Sequence, residues 1–355
     1  MAHPCPACTA AHCAVILLNY RNAPDTIACL RALAAMPVQP GKIIVVDNSS
    51  PDDSVERIMA AWQTINEPVL LRERPPHASL LPTGATHILL ARSTNDGFSA
   101  GNNAAIRLAL QDSGCNAVWL LNNDTEPEPD ALEKLCECLN QKPEAGMAGS
   151  TLVYAHDKQA VQCAGGASCS PWAGITRFFL TGEPLSVVRT ADPRQVEAKL
   201  SYIAGASALI RSNVLQAVGF LPEEYFLYYE DTDFGLSCAQ QGYSLGWAPD
   251  SIVYHKEGGS TGAESAGGGR AFNRPAWVDY LSLRNRMYMM RKHYPWALPV
   301  VAASYLGVML NRIKRGQANR IPLIFRAAWD GLRGHMGKPN HLFPALRDVH
   351  ENSGH

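Results

Sequence analysis

Several signatures are missing from this chain, and each absence closes a functional class. The amino terminus has no charged region leading into an apolar stretch and a cleavage site, so a reducing cytosolic setting is expected despite ten cysteines. Cys5-Pro6-Ala7-Cys8, with His3, His12 and Cys13 nearby, resembles half of a zinc site. It has no second Cys-x-x-Cys pair downstream, and residues 1–11 therefore read as a flexible, weakly metal-scavenging tail. The apolar run Ala297 to Leu310 is shorter than the ~18 residues of a spanning helix. The glycine-punctuated turn Asn95-Asp96-Gly97-Phe98-Ser99-Ala100-Gly101-Asn102-Asn103 matches neither GxGxxG nor a Gly-Lys-Ser/Thr phosphate loop. A dehydrogenase and a P-loop kinase lose their main support, although backbone N–H groups at such a turn can still approach a phosphate or nucleoside.

Net charge is also nearly absent, at −1, but that total hides a polarity. Residues 281–340 hold eleven Lys/Arg and one acid, Asp330, for +10, whereas residues 1–280 carry 19 basic and 29 acidic groups, for −10. A basic end on an acidic body implies an anionic partner. Tyr294, Trp296 and the apolar run beside them favour an anionic membrane surface over nucleic acid, which is not expected as a partner. The competing reading is a basic face over a core helix.

What is present is an α/β pattern. The apolar runs Cys13 to Tyr20 and Lys42 to Val46 flank a helix-like segment, Pro24 to Ala35. Further strands are expected at 69–72, 86–91 and 117–121, and helices at 53–64, 101–110 and 130–139. Such alternation predicts a mostly parallel central sheet with helices on both faces, and ligands beyond the carboxyl ends of its strands. Asp47 and Asp124 each fall just past such an end. Residues 151–194 loosen into Gly, Ser and aromatic residues. Gly258 to Gly269 is glycine-rich and reads equally as a lid or a linker.

The acids carry the chemistry. A carboxylate at a strand end can accept a hydrogen bond from a nucleobase imide, and a second can hold a divalent cation against a pyrophosphate. Either acid alone would be an ordinary cap or turn residue. Tyr228-Tyr229-Glu230-Asp231-Thr232-Asp233-Phe234-Gly235 adds a cluster of acids among aromatics, followed by His255 after the apolar Ile252-Val253-Tyr254. Acids in apolar surroundings are costly unless a metal, a cation or a reaction uses them. An Asp/His pair on a pyrophosphate suits manganese slightly better than magnesium.

These blocks in this order resemble a family 2 glycosyltransferase with the GT-A fold, in particular its bacterial rhamnosyltransferase-like members. They are VVDNSSPDDS from Val45, NDGFSAGNNAAI from Asn95, LLNNDTEPEPDAL from Leu120, VGFLPEEYFLYYEDTDFGLSCAQQGY from Val218 and VYHKEGGST from Val253, with a similar tail from Tyr280. The resemblance implies a GT-A domain over 12–270, a basic amphipathic membrane-associating region over 271–340 and a tail over 341–355. It places Asp47 on the nucleobase and Asn95, Gly97 and Asn103 around the nucleoside and diphosphate. Asn122-Asn123-Asp124 becomes the DxD element, with Asp124 and His255 holding Mn2+ or Mg2+. Asp231 is the implied base, with Glu230 beside it, and Asp233 either orients the acceptor or caps the following helix. The expected reaction is inverting transfer of a sugar, first L-rhamnose from dTDP-L-rhamnose, to a glycan or polyprenyl-diphosphate-linked acceptor at the inner face of the cell membrane. A sugar-nucleotide nucleotidyltransferase would need a glycine-rich amino-terminal signature that Arg21-Asn22-Ala23-Pro24 does not supply. A non-catalytic polysaccharide-binding scaffold is the remaining alternative.

Overall fold

Strands that are buried on both faces read as continuous apolar runs, and the first strand, CAVILLN, is one. Its alternate residues split between two cores. Val15 and Leu17 pack with Trp62, Trp119 and Leu135, whereas Ala14 and Ile16 pack with Ile106, Ile210 and Phe234 on the opposite face. The computed structural model describes residues 7–73, 80–256 and 275–346.

Thirteen strands are found among these residues: β1 Cys13–Asn19, β2 Lys42–Asp47, β3 Val69–Arg72, β4 His87–Ala91, β5 Ala117–Asn122, β6 Thr125–Pro127, β7 Ala145–Tyr154, β8 Val161–Ala164, β9 Gly166–Cys169, β10 Thr176–Phe178, β11 Tyr202–Ile203, β12 Ser207–Arg211 and β13 Ser244–His255. The helices are α1 Ala23–Ala34, α2 Ser54–Trp62, α3 Phe98–Ala109, α4 Ala131–Gln141, α5 Leu185–Val188, α6 Pro193–Glu197, α7 Ser212–Val218, α8 Glu230–Gln240, α9 Ala276–His293, α10 Leu298–Lys314 and α11 Ile321–Arg333.

The main sheet runs β3-β4-β2-β1-β5-β12-β7-β13-β6, with β8 paired to β7. Its first five strands are parallel, β12 runs antiparallel to both of its neighbours, and β7 and β13 are parallel to each other. The sheet is thus mostly parallel, with β12 reversed at its centre and β6 and β8 reversed beside β13 and β7. The loosely patterned 151–194 region supplies β8 to β10 and two short helices, and β9, β10 and β11 form a separate small sheet. The last strand, β13, shifts register across Pro249. Helix α3 starts at Phe98, earlier than the expected Gly101, because Gly97 turns the chain at φ 103° and serves as its cap. The glycine-rich segment 258–269 lies outside the described residues.

The carboxyl-terminal region departs most from expectation. Helices α9, α10 and α11 pack through Met287, Met289, Met290, Val301, Tyr305 and Ile324 onto Tyr225 and Leu236 of the body. Helix α9 is buried along both flanks, including Tyr280, Leu281, Arg284 and Asn285, so it is structural core and no detachable basic tail. The amino-terminal segment is likewise packed from Cys8 onward, where Cys8 and Ala10 are buried. A chain ended before α9 is expected to lose the single cooperative transition of the full protein in a denaturant titration, because Tyr225 and Leu236 would be uncovered. Unfolding at an unchanged midpoint would show instead that the bundle is separable.

Candidate active site

A cleft of about 670 Å³ opens at the carboxyl end of the parallel strands. Its floor begins with a buried polar network at the ends of β1, β2 and β5. Asn19 Nδ2 donates to Asp47 Oδ2 at 2.7 Å, Thr26 Oγ1 donates to Asn19 Oδ1 at 2.9 Å, and Asn123 Nδ2 donates to Thr26 Oγ1 at 2.9 Å. The other Asp47 oxygen accepts the Ser50 N–H at 2.8 Å. These bonds satisfy groups that would cost ~1–3 kcal/mol each if left buried and unpaired.

The acid cluster enters the cleft through a strained loop. Phe226, Tyr228 and Tyr229 have φ of 67°, 73° and 72°. Left-handed backbone at bulky residues costs ~1–3 kcal/mol each and persists only where the surroundings enforce it. The enforcement comes from α9. Asn285 Nδ2 donates to the carbonyls of Tyr225, Leu227 and Tyr228 at 3.1, 2.8 and 2.9 Å, and Arg284 Nη2 donates to Tyr225 O at 3.1 Å. From the other side Phe98 N donates to Phe226 O at 2.7 Å. A Cβ at residue 97 would stand 2.2 Å from that same oxygen, so glycine is required there both by φ and by space.

This loop delivers Glu230 and Asp231 as the first residues of α8, both lining the cleft. Burial pushes both carboxyls above the ordinary range, and the charge of Asp231 raises Glu230 further. Asp231 keeps a solvent window and accepts from Thr232 N at 2.7 Å, which partly offsets its desolvation. Glu230 is 6% exposed and its Oε2 has no hydrogen-bond partner among the described residues. The pair therefore titrates in two steps, and Glu230, the more deeply desolvated member, keeps the last proton.

Across the cleft, register brings Asp124 and His255 together. His255 pairs with Thr125 across β13 and β6, which sets it beside Asp124. His255 Nδ1 lies 2.8 Å from Gln162 Oε1, an acceptor, and Nε2 lies 3.3 Å from Asp124 Oδ1, so a ring that donates to Gln162 leaves Nε2 available beside the carboxylate. A carboxylate and an imidazole lone pair aimed at one point, with the far ring nitrogen held by a polar neighbour, is the arrangement of metal ligands. The residues fit a divalent cation.

Of the residues singled out from sequence, Asn95, Gly97, Asn122, Asp124, Glu230, Asp231 and His255 line this one cleft. Three are placed elsewhere. Asp47 is spent on the network beneath the floor, and it is the equally buried Asn48, bonded to Asn95 Oδ1 and Gly97 O at 3.0 and 3.1 Å, that lines the cleft. Asn103 is fully buried and ties α3 to Leu221 O and Glu223, both at 2.8 Å. Asp233 points away from any acceptor: Lys292 Nζ at 2.8 Å, His293 Nε2 at 3.0 Å and the Tyr225 hydroxyl enclose it. Burial alone would raise its carboxyl, but the bonds from His293, Lys292 and Tyr225 prevail and hold it below the usual range. Asn48, Gln162 and Asn285 went unnoticed in the sequence. The Asn next to Asp47 was the one readable hint, since it shares the strand end.

The sheet order and the cleft at its carboxyl end are those of a GT-A glycosyltransferase fold. Residues 117–311 match the model of the family described as Glycosyl transferase family group 2, and the chain belongs to that family. It is 32% identical over 191 residues to the uncharacterized protein y4gI of Sinorhizobium fredii, covering 53% of this chain but only 20% of that one. It is 24% identical over 253 residues to the dTDP-rhamnosyl transferase RfbF of Shigella flexneri, covering 70% and 79% of the two chains. Its fold is similar to that of the mannosyltransferase PcManGT from Pyrobaculum calidifontis, solved with GDP-Man and Mn2+, with a TM-score of 0.52, 16% identity, and 90% and 87% of the chains covered.

Replacing Gln162 by Leu frees His255 Nδ1 and removes the constraint on its tautomer. The expected result is a manganese requirement shifted to ~10–100-fold higher concentration with little change in thermal stability. A superimposable manganese titration would take His255 out of the metal shell.

Proposed function

We propose that this chain is an inverting rhamnosyltransferase that moves L-rhamnose from dTDP-L-rhamnose to a hydroxyl of a glycan or lipid-linked acceptor in surface polysaccharide assembly. The observation that carries the chemistry is the recessed Glu230–Asp231 pair, raised in pKa yet open to the cleft it shares with Asp124 and His255. Asp231 takes the proton of the acceptor hydroxyl as that oxygen forms its bond to the anomeric carbon. The bond from that carbon to the diphosphate breaks on the opposite face, and its electron pair leaves with the phosphate. Glu230, still protonated, keeps the pair from carrying two charges. Asp124 and His255 would hold a divalent cation, which when bound neutralises charge on the leaving diphosphate. Asn48, Asn95 and Gly97 line the part of the cleft suited to the nucleoside. The rhamnose assignment rests on the likeness to RfbF.

The bundle supports peripheral attachment to the inner face of the cell membrane. Leu306, Leu310 and Ile313 on α10 and Phe325, Trp329 and Leu332 on α11 are exposed. Much of the basic charge is spent internally: Arg312 and Arg320 pair with Asp279, and Arg326 with Asp330. Apolar contact is thus the larger attraction, with Lys314 and Arg315 exposed beside it. Helical structure runs through Pro295–Lys314, long and apolar enough to cross a membrane and longer than the apolar run suggested. Val301 and Tyr305 nevertheless bury one side of α10 in the bundle, which favours lying in the interface.

Two measurements test these readings. Release of nucleoside diphosphate from a panel of nucleotide sugars, with and without manganese, is expected to be greatest for dTDP-L-rhamnose, and no release from any donor would favour a scaffold. Asp231→Asn is expected to lower transfer by ~10²–10⁴-fold while nucleotide binding persists. A base must be ionised, and burial raises the pKa of Asp231, so wild-type activity should fall as pH drops through a limb above the usual ~4 of a carboxylate. An acid limb at ~4 would remove Asp231 from that role.

Attachment is read by flotation with phosphatidylglycerol vesicles. The double variant Phe325→Ser, Trp329→Ser should stay in solution while hydrolysing donor as the parent does. Undiminished flotation would place the contact elsewhere.

A further inference from the structure

We propose that Cys8, Cys13 and Cys136 bind a structural zinc ion at the amino-terminal end of the central strand β1, opposite the cleft. Cys13 opens β1, Cys136 lies in α4, and Cys8 precedes the short turn Ala10–His12. Their sulfurs form a closed triangle with edges of 3.2, 3.6 and 3.7 Å. Four sulfurs at ~2.3 Å from a tetrahedral zinc ion lie ~3.8 Å apart, so the triangle is one face of such a tetrahedron, slightly contracted.

The other described cysteines show how unusual this is. Cys29 meets Thr125, Cys115 and Cys138 meet the carbonyls of Ala117 and Trp247, Cys163 and Cys169 meet those of Gly166 and Ser170, and Cys238 meets Met147 Sδ. Among the described residues, thiol-to-thiol contact is confined to this cluster, where three separate elements converge. A disulfide would bring two sulfurs to ~2.05 Å and leave the third without a role, whereas a central ion explains three comparable edges. The triangle is also too small to enclose a multi-iron cluster, in which each thiolate binds its own iron. Soft thiolates select zinc over the magnesium or manganese suited to Asp124 and His255.

The surroundings hold the triangle in place. Cys8 N donates to Asn140 Oδ1 and Asn140 Nδ2 donates to Cys8 O, both at 2.8 Å, fixing the Cys8 backbone to α4. Arg211, bonded to Leu139 O at 2.7 Å and Ala145 O at 3.0 Å, adds a favourable field at Cys8 for a site with three thiolates and two positive charges. Thr9 and His12 above the sulfurs are exposed, so an ion has only a thin cover to pass. Cys5, at the Cys-x-x-Cys spacing from Cys8, lies outside the described residues, and the three described sulfurs define the site without it. The ion would pin the start of β1 to α4 and take no part in transfer.

The test is metal analysis of the full chain purified under reducing conditions without chelator or added metal. One zinc per chain is expected by plasma mass spectrometry and by native mass. Cobalt exchanged for that zinc should give the near-ultraviolet band of thiolate-to-cobalt charge transfer, which the Asp124–His255 site cannot produce. Cys13→Ser and Cys136→Ser should lose the metal, and Cys238→Ala should keep it. Wild-type protein that carries no zinc and develops no such band with cobalt would overturn the proposal even if both serine variants fail to fold. So would a Cys8–Cys136 disulfide in protein purified without reductant, or zinc retained by both serine variants.

Discussion

The hydrogen bonds from Asn285 to the carbonyls of residues 225, 227 and 228 are the constraint on which the site depends. Three bulky residues in left-handed backbone store several kcal/mol, and a loop free to relax would withdraw α8 and its acids from the cleft. Asn285 and Arg284 from α9 and one glycine-enforced contact at Phe226 hold it from opposite sides. Catalytic geometry is therefore enforced by a helix far along the chain. Asp233 fastens the other end of the same junction by binding Lys292 and His293 of α9.

Fixing the acids this way has an electrostatic consequence. A flexible loop would let Glu230 and Asp231 turn to water and titrate near ~4. Held against apolar walls they cannot, and the free energy of their desolvation appears as raised basicity. The strain in the loop and the elevated pKa of the pair are two measures of one enforced position. The neighbour Asp233, turned from the cleft and met by hydrogen bonds from His293, Lys292 and Tyr225, is shifted in the opposite direction by the same rigidity.

Much of this was legible in the sequence, for reasons that separate cleanly. Strands β1, β2, β4 and β5 announce themselves because burial on both faces demands unbroken apolar runs, and Asp124, Asp231 and His255 stand out because acids and imidazoles at the ends of such runs are expensive. Asp47 and Asn48 could not be told apart, since which of two adjacent side chains faces the ligand is set by the turn that follows, here closed by Ser50 on Asp47. Gln162 and Asn285 were invisible because their roles arise from contacts 93 and 57 to 60 residues away, and nothing local marks them. The basic carboxyl-terminal third misled for a physical reason. Lys and Arg bury their stems and pair with Asp233, Asp279 and Asp330, so a composition that looks like a polybasic tail can close a core.

The bundle's two faces give the proposed membrane attachment a mechanistic sense. Helix α9 grips the acid loop with Asn285 and supports α10 and α11 through Met287 and Met290. Packed helices lie ~8–10 Å apart, so the exposed apolar side chains of α10 and α11 are only about one helix layer removed from the wall of the cleft. Val278 and Ser282 of α9 belong to that wall. An acceptor whose lipid end rests in the interface would need to reach across one helix to present its sugar to Asp231. A soluble acceptor would gain nothing from this arrangement, whereas for a lipid-linked one the surface proposed to meet the membrane and the helix that positions Asp231 belong to one packed bundle.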